Sequence, residues 1–509
     1  MTRLASRTAG LVAVLVFGGI VQAMGCVPFN SADECDFCEP PGGGGAGGSG
    51  GGTPAGCVPS ENEGAVGDEC GVFVSSSLGD DINGGTKEKP FKTIAAALAA
   101  ASGKPVYACA EAFTEAVVVG APVDLYGGLD CSNGWAYVGA ATKSTLTAAA
   151  DAIPLVVQAG ASGTGLEDFA VRAADAMMAG GSSIAVVVDG ADAEFQRCSL
   201  EAGSGAAGSN GDAAPAAVAK ADTGNAGGNA CSDPDQVDGG LAKANAGCMD
   251  SVGGSGGVGV SAGDGGTGNK GSPDGAVNGG AGEGAMVCMP GQPGSPGMPG
   301  SPGAAATELG SLSAAGYTGS DGGNGGPGML AQGGGGGGGA KGGLICVMGM
   351  TAGAGASGGS GGPGGCGGLG GQGGKAGGAS IALVTLDATV ALTEVTVTAA
   401  AGGKGGDGAL GQAGQQGGDA GDGGSPSGVA GSNAGCRGGD GGKGGDGGQG
   451  GGGRGGHSFG IAHRGEAPTQ DGVTFVHAPM GGPGGNGGTA GAPGQGCKTL
   501  SFDEPGSCS

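Results

Sequence analysis

Residues 183–202 read SIAVVVDGADAEFQRCSLEA, and this stretch is the repeating unit of the chain. Apolar residues alternate through its first half, which predicts a β-strand with one inward face. A second apolar set follows after the turn residues Asp189 to Asp192. The inward residues are Ile184, Val186 and Val188 in the first half and Phe195, Cys198 and Leu200 in the second. Two short strands joined by such a turn predict one coil of a β-solenoid.

Copies of this unit occur at three other places along the chain. The preceding copy is displaced by 31 positions in its first half and by 29 in its second, and the later copies by 197 and a further 78 positions. Gln470 replaces the expected leucine in the last copy. The corresponding inward residues are Ile153, Leu155, Val157, Leu166, Phe169 and Val171; then Ile381, Leu383, Leu392, Val395 and Val397; then Phe459, Ile461, Val473 and Phe475.

Glycine-rich sequence separates the later copies. Only the first two copies follow one another directly; the next junctions contain insertions of about 168 and 49 residues at the same corner of successive coils. A solenoid accepts such insertions because each coil contacts only its neighbours. We therefore predict that the glycine-rich segments decorate a β-helix.

The start of the ordered chain resembles a known family. Residues 79–101, GDDINGGTKEKPFKTIAAALAAA, are similar to the opening of the right-handed parallel β-helix domains of bacterial surface proteins, the pectate-lyase-like solenoids. Ile94 and Leu98 have i, i+4 spacing on a short helix, which would cap the first coil. The resemblance implies an all-β fold, a right-handed parallel β-helix interrupted by glycine-rich inserts. Further strands are expected at Val117 with Val119 and at Val123 with Leu125.

Two structures are possible for the inserts. Their sequence approaches a Gly-Gly-x repeat, as in GGDGGKGGDGGQGGGG at residues 438–453. One possibility is a disordered loop, because glycine loses the most entropy on ordering. The other is a bundle of polyproline-II-like strands with three residues per turn, in which every third side chain points outward. The inserts resemble the glycine-rich repeat proteins of mycobacteria (PGRS-like) and the glycine-rich antifreeze proteins of springtails. Residues 291–303, GQPGSPGMPGSPG, predict a local polyproline II strand.

Composition excludes some partners. The chain has 509 residues with 138 glycines, 20 basic and 45 acidic residues, and a formal net charge of −25. Such a charge repels nucleic-acid phosphates, so we predict no nucleic-acid partner. The expected partners are cell-envelope or extracellular polysaccharides.

The N-terminus predicts export. Arg3 and Arg7 precede an apolar run over residues 9–21 that is too short to span a membrane, so residues 1–25 read as a signal peptide. Two cleavage sites are possible. In the first, residues 23–26 (AMGC) resemble a bacterial lipobox, with Cys26 lipidated and anchoring the chain to a membrane. In the second, Val21-Gln22-Ala23 is cleaved to release a secreted protein. The expected location is the outer membrane or cell surface as a lipoprotein, or otherwise the extracellular medium.

The 16 cysteines are expected to form mainly disulfides, because thiols outside the cytosol tend to oxidise. They would all pair evenly unless Cys26 carries lipid or Cys198 is a free thiol in the core. Cys35 and Cys38 have the spacing of a zinc or redox motif, but there is no second pair at a matching distance and no βαβ context, so a local disulfide is favoured over both. Cys109 and Cys131 flank the early strands and are the candidate disulfide of the solenoid.

No pattern in the sequence predicts a catalytic, cofactor-binding or metal-ligating residue. His457, His463 and His477 fall on or beside one coil and read as strand positions. Asp189, Asp192 and Glu194 would correspond to pectate-lyase carboxylates, but in the aligned coils no carboxylate recurs at these positions. Glu167 and Asp168 align with Gln196 and Arg197 instead. Asp440 and Asp446 lack the apolar position of the calcium-binding β-roll repeat.

The predicted organisation combines these segments. It comprises a signal peptide (1–25), a Cys- and Gly-rich tether (26–65), the cap and first coils (66–202), an insert (203–378), a coil (379–400), an insert (401–456), a coil (457–480) and a Gly/Cys tail (481–509). The expected function is a non-catalytic surface or secreted structural and adhesive protein. The alternatives are a secreted polysaccharide-active β-helix enzyme and, third, a protein that binds ice or organises surface hydration.

Overall fold

Three parallel sheets form the spine of the molecule. The computed structural model describes residues 56–509, apart from residues 63–64, 140, 274–277, 347–351, 429–430, 505–507 and 509. The chain passes from sheet A to sheet B to sheet C and back to sheet A, so that each strand pairs in parallel with its counterpart in the next coil. The predicted all-β class with parallel coils is confirmed.

Each sheet collects one strand from successive coils. Sheet A contains Val72–Val74, Val106–Cys109, Asp124–Asp130, Thr164–Glu167, Ala193–Gln196, Val390–Thr393 and Thr469–Asp471, with Ala136–Tyr137 paired antiparallel to Asp124–Asp130. Sheet B contains Ala112–Thr114, Ser144–Thr147, Phe169–Arg172, Ser199–Ala202, Thr396–Ala399 and Thr474–His477. Sheet C contains Val117–Val119, Leu155–Val157, Ser183–Asp189, Ser380–Leu386, Ser458–Arg464 and Gly496–Ser501.

The strand registers match the repeat alignment. On sheet C, Val186 lies opposite Leu155 on one side and Leu383 on the other. Leu200 on sheet B is paired in the same way, with Val397 in the next coil. The offsets of 31, 29, 197 and 78 positions are therefore the offsets of hydrogen-bonded neighbours. Matching apolar side chains stack because a register slip by one residue would turn them to the other face of the sheet.

One inward position predicted for the repeat is wrong in all four copies, at Ile153, Ile184, Ile381 and Phe459. Val186 and Val188 belong to the main core inside the coils. Ile184 instead packs with Val187, Ile381 and other residues in a second cluster. Sheet C is buried on both faces, since all seven residues of Ser380–Leu386 are buried. Strict alternation breaks at Ala185, because Ala185 and Val186 both belong to the main core whereas Ile184 and Val187 belong to the second cluster.

Stacked left-handed residues form the turn between sheets A and B. Asp168, Arg197, Glu394 and Gly472 have φ angles of 57°, 50°, 55° and 63°. They occupy equivalent positions in four successive coils, at the offsets of the repeat. Each turn places one residue in a region that costs L-residues about 1 kcal/mol. The shared left-handed φ shows that the backbone path is the same in these four turns, whatever the side chain.

A short helix covers the first coil, as predicted. It spans Ile94–Ala101, and Thr93 caps its N-terminus by accepting a hydrogen bond from the amide of Ala96. The carboxylate of Glu115 accepts bonds from the amides of Ile94 and Ala95, at 2.8 and 3.0 Å. Ile94 is fully buried in the main core and Leu98 packs against it partly buried. Leading amides that no helical carbonyl can reach are thus satisfied by side chains.

The first residues that the structure describes pack on sheet A. Cys57 forms a disulfide with Cys70, and its carbonyl accepts a hydrogen bond of 2.7 Å from the hydroxyl of Tyr107. Phe73 and Trp135 complete this cluster on the outer face of sheet A. Cys57, which falls within the predicted tether of residues 26–65, is thus packed against sheet A. The remaining short 3-10 helices are Pro59–Glu61, Asp68–Cys70, Cys131–Asn133 and Ala159–Ala161.

Candidate functional site: a glycine-rich bundle on one corner of the solenoid

The long inserts leave the solenoid at one corner. Each begins where a sheet B strand ends, at Ala202 or Ala399, and ends where the next sheet C strand begins, at Ser380 or Ser458. The coil-to-coil hydrogen bonding continues into them; for example, the amide of Gly205 donates to the carbonyl of Ala401 at 2.9 Å. The predicted insertion corner is thus the structural one. The sheets set the strand spacing at which the glycine-rich segments begin to pack.

Residues 333–340, GGGGGGGA, form the centre of the bundle and are buried along their whole length. Their amides donate in three directions that recur every third residue. Gly334 and Gly337 donate to one neighbouring strand, through the carbonyls of Gly362 and Gly359. The other donors alternate between the strands at residues 266–272 and 289–292. This repeat of three, with bonds between strands, is the polyproline-II-like bundle, and not the disordered loop.

The carbonyls of the same central strand point to three further neighbours. Gly334, Gly335 and Gly336 accept hydrogen bonds from the amides of Gly254, Gly439 and Gly280, at 2.9, 2.8 and 2.8 Å. The central strand is therefore surrounded by six strands, three that accept its bonds and three that donate to it. Each buried backbone group that has a partner avoids the cost of an unsatisfied polar group. Backbone hydrogen bonding takes the place of a side-chain core in this bundle.

Only glycine fits between strands this close. A Cβ built on Gly336 would lie 1.9 Å from the carbonyl oxygen of Ser255, and one on Gly337 would lie 2.0 Å from that of Cys436. Two of every three residues face a neighbour in this way, and the third side chain points outward where the strand lies at the surface. The Gly-Gly-x repeat follows from this geometry.

Glutamine side chains supply the hydrogen bonds where the backbone ladder between the first and second inserts is interrupted. The ladder between the first and second inserts runs to Gly211 and resumes at Ala221. Across this gap, Gln415 donates from Nε2 to the carbonyl of Ala219 at 2.7 Å, while its Oε1 accepts from the amide of Cys366 at 3.0 Å. The amide side chain thus supplies one donor and one acceptor, as a peptide group does.

Charged side chains lie in rows on the bundle surface. Arg437 pairs with Asp440 at 2.8 Å, and Lys443 with Asp446 at 2.7 Å. Asp446 also accepts from the amide of Gly414 at 2.8 Å, and these hydrogen bonds, that of Lys443 first, lower the pKa of its carboxyl. The two aspartates weighed for calcium are thus bonded to cations and amides. In the described ranges, no group of three or more His, Cys, Asp or Glu residues is arranged to hold a metal ion.

Three disulfides join strands of the bundle to one another. They are Cys231–Cys346, Cys248–Cys366 and Cys288–Cys436, with sequence separations of 115, 118 and 148 residues. A crosslink lowers the conformational entropy of the unfolded chain, and it does so most when it closes a long loop. Each of these crosslinks is therefore expected to be strongly stabilising. The sequence showed these cysteines but not their partners, which only the strand packing brings together.

The predicted solenoid cysteines lie as follows. Cys109 and Cys131 form a disulfide with 5.6 Å between their Cα atoms. Cys198 is a buried free thiol, and burial raises its pKa to about 12. Cys26, Cys35 and Cys38 lie outside the described residues. Together with Cys57–Cys70 and Cys497–Cys508, the six disulfides of the described chain indicate an oxidising, extracytoplasmic environment.

A partly buried ion cluster, which sequence reasoning missed, spans two coils at the turn between sheets A and B. Arg197 donates to Glu167 at 2.6 Å and to Asp168 at 3.0 Å, and Asp168 is nearly fully buried. The hydroxyl of Tyr137 donates to Asp168 at 2.9 Å, and Nζ of Lys143 donates to the carbonyl of Arg197. Burial raises the pKa of Glu167 despite the adjacent guanidinium. Opposite charges at a 29-residue offset, Asp168 and Arg197, were the signal present in the sequence.

The other acidic candidates lie apart from this cluster, at the corner between sheets C and A: Asp189 ends a sheet C strand, Glu194 lies in a sheet A strand, and Asp192 lies between these strands. Asp189 lies opposite Leu386, and Glu194 lies opposite Ala391, in the predicted register. Asp192 and Glu194 are exposed. The structure therefore brings no second row of carboxylates to these positions from the paired strand of the next coil.

The three histidines have separate environments. His457 is fully buried; its Nε2 contacts the carbonyl oxygen of Leu309 and its Nδ1 accepts from the amide of Gln495, both at 3.0 Å. His463 lies in a sheet C strand and His477 in a sheet B strand. Burial, together with the Arg454 charge, lowers the pKa of His457 to about 4. It is thus a neutral bridge between the solenoid and the insert.

Within the described part of the chain, no helix has the length and apolarity needed to cross a membrane. No protein-family model, curated protein or solved structure matches the chain.

Proposed function

We propose that this protein is a non-catalytic structural and adhesive protein of the cell surface, in which a parallel solenoid displays a glycine-rich bundle. The observation that carries the proposal is the six-neighbour strand at residues 333–340, together with the disulfides that join the surrounding strands. At about 3.1 Å per residue, the run from residue 401 to residue 424 extends for about 75 Å. Such a bundle holds its surface side chains in fixed rows along a long arm.

Attachment through Cys26 is part of the proposal. Twelve of the 16 cysteines pair in the described residues and Cys198 is free, which leaves three, Cys26, Cys35 and Cys38. A disulfide between Cys35 and Cys38 leaves Cys26 unpaired, as a lipid-bearing cysteine must be. Because Cys198 is free, an even pairing of all 16 cysteines does not support soluble secretion. The lipidated N-terminus would hold the solenoid at the outer membrane or cell surface.

The anchor is tested by mass spectrometry of the mature N-terminus and by protease treatment of intact cells. We expect a diacylglyceryl mass on Cys26 and release of the described domain by the protease. The Cys26→Ser variant serves as the control and should lose both the lipid and the membrane fraction. A mature chain that begins at Met24 without lipid would refute the anchor.

The adhesive role is tested by attachment of cells to a surface coated with a neutral polysaccharide. Cells that display the wild-type protein should attach, and cells that display a Cys248→Ser, Cys366→Ser variant should attach less, because the bundle is loosened. A Gly84→Ala variant is the matched control, since its added Cβ meets no atom within 4 Å. Cleavage of the polysaccharide by the purified protein, abolished by Asp189→Asn, would instead support the enzyme alternative.

A further inference from the structure

The run of residues 289–303, MPGQPGSPGMPGSPG, is an edge strand of the bundle. Its glycines face inward: Gly294, Gly297 and Gly300 donate to carbonyls of the strand at residues 440–446, at 2.8 to 2.9 Å. The residues that precede its prolines accept bonds from a second strand, as when the carbonyl of Met298 accepts from the amide of Met329 at 2.8 Å. Two sides of this strand are thus fixed along its length. At its beginning, the amides of Met289 and Gln292 also donate to the carbonyls of Ala281 and Asn278, at 2.8 and 3.2 Å.

The third side of the strand faces outward and carries proline. Pro290, Pro293, Pro296, Pro299 and Pro302 recur every three residues, and all are exposed. Three residues per turn place successive rings in one row, about 9 Å apart. Because proline has no amide hydrogen, this row offers no backbone donor to a further strand. The proline rings on this edge remain accessible.

The surface of this run is uncharged and partly apolar. Residues 284–307 contain no acidic or basic residue, in a chain with a net charge of −25. Met289, Met298 and Met329 are 57%, 62% and 56% exposed beside the proline row. Proline rings and methionine thioethers both pack favourably on aromatic rings. The overall negative charge opposes a second copy of this protein as the occupant, because two such chains repel each other.

We propose that this row, Pro290 to Pro302, is a docking surface for a partner protein whose groove is lined with aromatic side chains. A polyproline II strand that is already ordered binds such grooves with little further loss of entropy. In this bundle the inward glycines order the strand before the partner arrives. This inference rests on the proposed adhesive function and adds to it the class of partner that is bound. Its test uses purified protein, so that a failure of surface anchoring leaves this outcome unaffected.

The test measures binding of the full-length protein to purified SH3 and WW domains, whose grooves are aromatic and accept polyproline II ligands. Isotope-labelled domains report the site through their chemical shifts. We expect saturable binding by at least one domain, with shifts at its groove aromatics. The triple variant Pro293→Ala, Pro296→Ala, Pro299→Ala should weaken it by about tenfold or more. Pro483→Ala, at an exposed proline elsewhere in the bundle, should leave it unchanged.

Hydrogen exchange at the amides of Gly294 and Gly297 shows whether the triple variant keeps the strand in place. Loss of binding with those amides still protected supports the proposal. The proposal is overturned if no domain binds, if binding survives the triple substitution, or if the substitution instead abolishes a concentration-dependent dimer. That last result would identify a second copy of the chain as the occupant.

Discussion

Substituting Gly337 by alanine tests whether the bundle is held by close backbone packing. Gly337 lies on the central strand, and its added Cβ would be 2.0 Å from the carbonyl oxygen of Cys436 and 2.5 Å from that of Arg437. Normal contacts between such atoms are about 3.5 Å, so the strands must separate by about 1.5 Å. Both carbonyl oxygens are backbone atoms, and a rotamer change cannot relieve the overlap.

The separation breaks a defined set of hydrogen bonds. The strand of Cys436 is joined to the central strand by two bonds: Cys436 donates to Gly338 at 2.9 Å and Gly439 donates to Gly335 at 2.8 Å. At a net value of about 1 kcal/mol each, their loss costs about 2 kcal/mol. Overpacking adds about 1 to 3 kcal/mol where the strands cannot fully separate. We therefore expect Gly337→Ala to destabilise the bundle by about 3–5 kcal/mol.

Hydrogen exchange measures this effect locally, because protein segments open with separate free energies. Amides of residues 333–340 should exchange at least about a hundredfold faster in Gly337→Ala, while those of Ser380–Leu386 should change less. Gly84→Ala is the matched control, because it makes the same change where no atom lies within 4 Å. Exchange in Gly337→Ala that equals that of Gly84→Ala would show that the strands are not packed this closely.

Three further perturbations test the solenoid, the junction and the crosslinks. Leu200→Asp places an unpaired charge between coils and should lower the free energy of unfolding by about 3–5 kcal/mol in urea titration, whereas exposed Asp192→Asn should not. The depressed pKa of His457, about 4 against 6.5, means that only the unfolded state gains a proton between these values. Stability should therefore be complete above pH 6.5 and fall by about 3 kcal/mol towards pH 4; His457→Gln should remove this component, and an unchanged slope would contradict it. Cys248→Ser with Cys366→Ser should cost about 2–5 kcal/mol, and equal denaturation midpoints for variant and wild type would contradict this.

The solenoid was largely predictable because its signal is local and repeated. Positions 186 and 383 carry branched apolar residues for the same reason, since each fills the inside of a coil beside its neighbour. Ile184 was misplaced because the strand does not alternate strictly: Ala185 and Val186 both belong to the main core, so Ile184 lies with Val187 in the second cluster. On sheet C the outer face is buried too, by residues such as Leu312 and Tyr317 from the long insert.

The candidate site was predictable only as two alternatives. The period of three in Gly-Gly-x is compatible with a bundle and with a disordered chain. Two of every three residues carry no side chain, so no pattern of buried side chains separates the two structures. What decides between them is the presence of six neighbours, and these come from segments as far apart as Gly254 and Gly439. Disulfide partners such as Cys288 and Cys436 depend on the same packing.

The sequence by itself determined the coil, its register and the corner at which the inserts leave, because apolar side chains repeated at fixed offsets require neighbouring strands to align. Tertiary structure alone decided that the inserts are ordered, which strands surround residues 333–340, and that the prolines at 290–302 face outward. The physical reason is that glycine has no side chain whose size or polarity would indicate which segment lies beside it. Its contacts are backbone hydrogen bonds, and any segment with the same spacing can supply them.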